Sequence, residues 1–141
     1  MTTANQWFWR TAGKWRSERR YLFDLETNQP VNMTTEFEIA EHAHSLWIVT
    51  WSGKTSGTME LRLEGDLLHR SRDYFGNGAH SSRVSMIDED TLLLHTHYDG
   101  LIFREEIRMI KNDTYRLRQT VGHCDKTGVA KIVGQYFETR L

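Results

Sequence analysis

Residues 104–120 read REEIRMIKNDTYRLRQT, and the folding of this stretch decides the rest of the chain. Both arms alternate between polar and apolar residues, and Lys111-Asn112-Asp113 between them is turn chemistry, so the stretch reads as a β-hairpin. Side chains alternate faces along a strand. One face of the first arm therefore carries Arg104, Glu106 and Arg108, and one face of the second carries Arg116, Arg118 and Thr120. The opposite faces carry Phe103, Ile107 and Met109, then Tyr115, Leu117 and Val121. With the turn read as three residues, the cations and Glu106 share a side. If that side is the interior of a barrel, the greasy side points outward and is expected to be covered by the N-terminal segment or by a second copy.

Outward from the hairpin, the pattern repeats. Thr2 or Thr3 is positioned to cap a helix over residues 4–12, with Gly13 as its stop. Trp7 and Trp9 do not fit one helical stripe, so this helix is expected to lie across an opening. Period-two alternation then predicts strands over residues 14–25, 32–41, 46–51, 57–63, 67–75, 79–87, 91–98 and 129–140, beside the hairpin. Gly76-Asn77-Gly78, Asp88-Glu89-Asp90, Asp99-Gly100 and Asp125-Lys126-Thr127-Gly128 read as turns. The expected fold is all-β: an antiparallel up-and-down barrel of about ten strands with a short N-terminal helix, since closure removes exposed edges. Barrels of about this strand number can hold one small ligand.

Composition bounds the function. A chain of 141 residues is expected to be one domain, residues 1–141, large enough for a core without staples. The net charge of −1 gives no global attraction to nucleic acid or anionic membranes. The single cysteine, Cys124, excludes an internal disulfide and fits a reducing compartment. No run is apolar enough to span a membrane, and the N-terminus lacks a signal-peptide layout, so an intracellular location is expected.

Three constellations could carry chemistry. Trp15-x-Ser17-x-Arg19 shares a face with Tyr21 and Phe23, placing an arginine on an aromatic surface, either at a rim or beside an anion. Glu106 with Arg116 and Arg118 is either a solvated face of cross-strand ion pairs or an anion site, because arginine forks suit carboxylates. Glu138 shares its face with Tyr136 and Arg140. His42 with His44, and His95 with His97, lack a third ligand, so no metal site is expected. Nothing beside Cys124 in sequence would lower its pKa. No phosphate loop and no nucleophile elbow are present.

The segment Ala12-Gly13-Lys14-Trp15-Arg16-Ser17-Glu18-Arg19 behind a helix, Glu105-Glu106 followed after ten residues by Arg116-Leu117-Arg118, and the closing residues 134–140 together resemble the S/U-type phycobiliprotein lyases. The likeness spans most of the chain, while its specific motifs cover the two ends. The family often has a histidine soon after the arginine, where this chain reads Arg20-Tyr21-Leu22, and this chain is shorter in its middle. The resemblance implies a lipocalin-like barrel that binds a free phycobilin, phycoerythrobilin or phycocyanobilin, as substrate. It implies attachment of that bilin through a thioether to a cysteine of an apo-phycobiliprotein subunit. It places Glu106 and Arg19 in catalysis, and Arg116, Arg118, Thr120, Glu138, Trp51 and Trp15 around the bilin. It also implies a homodimer or a heterodimer with a homologue, no metal, no nucleic acid or membrane partner, and a cyanobacterial cytoplasm or plastid stroma as location. Two other classes stay open: a carrier of another hydrophobic anion such as a fatty acid or haem, and a structural adaptor whose barrel is filled by side chains.

Overall fold

A computed structural model describes residues 2–22, 29–71 and 80–141. The alternating segments become ten strands: β1 Gly13–Leu22, β2 Val31–Ala43, β3 Leu46–Gly53, β4 Gly57–Glu64, β5 Leu67–Arg70, β6 His80–Met86, β7 Thr91–Tyr98, β8 Leu101–Ile110, β9 Tyr115–Cys124 and β10 Ala130–Arg140. Each pairs antiparallel with its neighbours in sequence, and β1 closes on β10. The expected barrel is therefore the observed one. The expected extension of β1 through Phe23 and Leu25, and the turn Gly76-Asn77-Gly78, lie outside the described residues.

One helix, α1 Ala4–Thr11, precedes β1. Thr3 is its N-cap, in a capping box with Gln6 that satisfies two otherwise unpaired backbone N–H groups. The helix stoppers one end of the barrel, as the two tryptophans suggest. Trp7 and Phe8 are buried, Phe8 stacks on Trp47 at 5.0 Å, and Trp9 stays in solvent. The Trp7 indole donates to the Asp90 carbonyl at 2.9 Å, and Arg10 reaches Asp90 and Asp113 at 2.6 and 2.7 Å. From the strand side, Arg140 donates to the carbonyls of Arg10 and Ala12 and lies 4.3 Å over the Trp15 ring. Asp90 and Asp113 belong to turns at one end of an up-and-down barrel, so the helix is tied to several hairpins at once. Among the described residues no helix covers the opposite end.

Burial alternates along the strands. On β1, Trp15 and Ser17 are buried while Arg16 and Glu18 are exposed, and on β2 Thr35, Phe37 and Ile39 point inward. The reading of these two strands holds. The hairpin reading does not. The loop between Ile110 and Tyr115 has four residues, not three, because Thr114 belongs to it: its N–H bonds back to the Lys111 carbonyl at 3.2 Å, and Lys111, Asn112 and Asp113 all have positive φ. One extra loop residue shifts the register by one and reverses the face of one arm relative to the other. Arg116 therefore lies opposite Met109, Arg118 opposite Ile107 and Thr120 opposite Glu105. Phe103, Ile107 and Met109 are inside the barrel, and Arg104, Glu106 and Arg108 are outside. The expectation that α1 or a second copy covers an outer greasy face fails for Phe103, Ile107 and Met109, which are already in the core, while Leu117 faces outward as expected and is exposed.

Candidate functional site

Three register rows place the polar side chains of the lumen. The deepest crosses Ser17, Glu138, Arg116 and Met109. The next crosses Arg19, Tyr136, Arg118 and Ile107, and the third crosses Tyr21, Gly134, Thr120 and Glu105. Gly134 is needed because a Cβ there would lie 3.0 Å from the Tyr136 hydroxyl and 3.1 Å from the Tyr21 ring. Gly57 likewise leaves room for the Trp51 indole, which a Cβ would meet at 2.5 Å.

In the deepest row, Arg116 Nε donates to Glu138 Oε1 at 2.7 Å. Glu138 is fully buried, and the guanidinium carbon of Arg116 sits 5.6 Å from the Trp15 ring and 5.3 Å from the Phe37 ring. Burial alone would push Glu138 upward, but Arg116 and then Arg118 overcome it and hold the carboxyl below its ordinary range. Burial, opposed by Glu138 and reinforced by the like charge of Arg118, holds Arg116 below its ordinary value.

In the rows above, Glu105 is fully buried and takes one arginine on each oxygen. Arg70 of β5 approaches Oε1 at 3.2 Å, and Arg118 approaches Oε2 at 2.5 Å. The Thr120 hydroxyl donates to the same Oε2 at 3.4 Å. Burial would lower Arg118, but Glu105, Tyr136 and Glu138 more than offset it, so the guanidinium is held above its ordinary value. Burial also pushes the Tyr136 phenol upward, against the pull of Arg118. Arg19 and Arg118 flank that ring at 5.3 and 4.9 Å. Arg19 donates to the Ser17 hydroxyl at 2.9 Å and has no carboxylate partner among the described residues.

These rows wall a cavity of about 570 Å³, within the range of small-molecule sites. Its floor is Trp7 and Phe8, and its walls include Tyr21, Met33, Trp51, Met59, Phe103 and Tyr136. Arg19, Arg70, Arg116 and Arg118 line it, while the carboxylates that neutralise them are the two buried glutamates, Glu105 and Glu138. Among the described residues, four arginines face two glutamates in a largely apolar setting, an arrangement suited to an apolar molecule with anionic groups. A barrel filled by side chains, with its arginines in solvent, does not match this geometry.

Of the residues singled out in the sequence, Arg19, Arg116, Arg118, Thr120 and Trp51 line the cavity. Trp15 does not: it lies beneath Arg116, donating to the Thr11 carbonyl at 2.8 Å. Glu138 stands behind Arg116 rather than in the cavity wall. Glu106 is on the outer surface, its side chain 40% exposed and paired with Arg104 at 2.8 Å. Glu105 occupies the interior position that a three-residue turn would give to Glu106. Arg70 is not among the residues the sequence pattern singles out, although it alternates with inward-facing Leu68 on β5. Cys124 differs from expectation as well: the Thr127 hydroxyl and the Lys126 and Thr127 N–H groups, brought round by the turn, lower its thiol pKa. His95 and His97 are exposed, and His97 faces Asp125 at 2.9 Å. Among the described residues no group of three or more His, Cys, Asp or Glu side chains is gathered as metal ligands would be.

Comparison with known proteins agrees with this geometry. The chain is 27% identical to "Putative chromophore lyase CpcV" of a Picosynechococcus strain, over 99% of this chain and 82% of that protein. It is 28% identical to "Putative phycocyanobilin lyase CpcS 2" of a Nostoc strain, over 96% of this chain and 89% of that protein. The solved structure of the S-type phycobiliprotein lyase CPES from Guillardia theta shares the fold, with a TM-score of 0.76 and 17% identity over 99% of this chain and 93% of that one. The family model described as CpeS-like protein matches residues 50–141, the part of the chain that contributes Arg70, Glu105, Arg116, Arg118 and Glu138 to the lumen, and the chain belongs to that family.

Proposed function

We propose that the barrel binds a free linear tetrapyrrole, phycocyanobilin or phycoerythrobilin, and presents it for thioether attachment to a cysteine of an apo-phycobiliprotein subunit. The observation that carries this reading is the excess of arginines over carboxylates among the described lumen residues, with Arg19 lacking a carboxylate partner among them, which suits the propionates of a bilin. The names of the two relatives and membership of the CpeS-like family support it. Arg19 and Arg118 are the arginines placed to take carboxylates, being ranged on either side of Tyr136. Tyr21, Trp51, Phe103 and Tyr136 offer aromatic surface to a conjugated chain. Glu105 acts through the arginines it holds and is a positioning residue. The catalytic role that the resemblance gives to Glu106 does not pass to Glu105, because the Glu105 oxygens are engaged with Arg70 and Arg118. Thr120 assists by fixing Glu105, and Arg116 with Glu138 forms the charged base of the cavity.

The nucleophile under this reading is the client's thiol, and the protein's contribution is to hold the bilin at high effective molarity with one reactive end toward the mouth. The setting is the compartment where phycobiliproteins are assembled, a cyanobacterial cytoplasm or a plastid stroma. The test is to incubate the bilin-loaded protein with an apo-subunit and its cysteine-to-alanine variant. A denaturation-resistant bilin on the wild-type subunit alone is the expected result. Saturable bilin binding without any adduct would leave a carrier in place of a lyase.

A further inference from the structure

The ring of Tyr136 stands between two arginines of like charge. It is the centre of the lumen row Arg19, Tyr136, Arg118, with β1 on one side of it and β9 on the other. The guanidinium carbon of Arg19 lies 5.3 Å from the ring centroid, and that of Arg118 lies 4.9 Å from it. Neighbouring strands are spaced by about 4.8 Å, so the two flanking strands carry their cations about 10 Å apart, with the ring in the gap. The ring is itself held in place. Tyr21 meets it edge-on, with centroids 5.4 Å apart and planes at 85°. Gly134, two residues before it on the same face, leaves room for its hydroxyl, which a Cβ would approach to 3.0 Å. Burial keeps the phenol protonated, so the ring is neutral and its electron-rich faces attract guanidinium groups.

We infer, on the bilin reading above, that Tyr136 is a positioning residue: its ring holds Arg19 and Arg118 apart, so that the lumen takes two carboxylates of one tetrapyrrole at once and prefers that ligand to one with a single carboxylate. A bilin carries its propionates on the two central pyrroles, which one bridging carbon joins, and both flexible arms can reach arginines about 10 Å apart. Without the ring, Arg19 is free to swing toward Arg118, either onto the same ligand carboxylate or onto Glu105, which Arg118 already holds. Two guanidinium forks on one carboxylate leave the second propionate in a largely apolar lumen without a counter-charge, a far greater penalty there than in water. Loss of the ring therefore acts on the second carboxylate and not on the first.

Absorbance titration of the full chain with phycocyanobilin and with its monomethyl esters tests this. The wild-type protein should bind the diacid roughly tenfold more tightly than the monoesters. In Tyr136→Leu that ratio should shrink to within about threefold. Tyr136→Phe should keep the wild-type ratio, because the ring and not the hydroxyl separates the arginines. Tyr21→Leu leaves the ring in place but unsupported and should lower the ratio partway, which gives a reading even where Tyr136→Leu does not fold. Far-ultraviolet circular dichroism reports folding in each variant. A merely structural role for Tyr136 would weaken diacid and monoesters alike and leave the ratio unchanged. A wild-type ratio near one, an unaltered ratio in folded Tyr136→Leu or in Tyr21→Leu, or a Tyr136→Phe protein that behaves like Tyr136→Leu would each overturn the inference. No bilin binding by the wild-type protein would overturn the bilin reading and the inference with it.

Discussion

Glu105→Ala should lower the unfolding free energy by about 3–5 kcal/mol, and Glu106→Ala by no more than about 1 kcal/mol. The two residues are adjacent and chemically identical, so the contrast comes only from which side of β8 each faces. Glu105 is fully buried and holds Arg70 and Arg118, so its removal takes from a low-dielectric interior the carboxylate that these two cations share. Glu106 loses a solvent-screened pair with Arg104. Urea unfolding of both variants measures the difference. Equal losses would contradict the opposite facing of the two residues.

Arg19→Ala should weaken binding of a dianionic bilin by roughly 10–100-fold, the equivalent of one charge-assisted hydrogen bond, while costing little stability. Arg19 is the lumen arginine best suited to this test. It hydrogen-bonds the Ser17 and Tyr21 hydroxyls, so no buried carboxylate is stranded when it goes. Arg118→Ala should also weaken binding, but it removes one of the two arginines on Glu105, so part of its effect would appear as lost stability. Arg19→Lys should fall between, keeping the charge and losing the planar fork. Absorbance titration with phycocyanobilin reads all three. Wild-type affinity in Arg19→Ala would remove Arg19 from the ligand site.

The strands, the closing helix and the inward faces of β1 and β2 are legible in the sequence because each is a local property: period-two alternation, a capping threonine, a glycine stop. The hairpin at residues 104–120 shows where local reading fails. Lys111, Asn112 and Asp113 announce a turn, yet Thr114 is at home in a strand, and only the backbone bond from Thr114 to Lys111 shows that it belongs to the loop. That single residue exchanges Glu105 for Glu106 and turns Phe103, Ile107 and Met109 inward. The Arg70–Glu105 pair is invisible for another reason: its members are 35 residues apart on strands that are not neighbours, so no sequence spacing records it. Cys124 illustrates the same limit at short range, since its thiol is tuned by Thr127 only after the turn has closed.

The most direct measurement compares a free bilin with its dimethyl ester in parallel absorbance titrations of the wild-type protein. The two share the conjugated system and differ in whether two negative charges are present. A lumen in which arginines outnumber carboxylates among the described residues predicts saturable, red-shifted binding of the free acid. The diester should bind more weakly by roughly 100-fold or more, as expected when each propionate forgoes about one charge-assisted hydrogen bond. Equal affinity for the two forms, or no spectral change with the free acid, would contradict it.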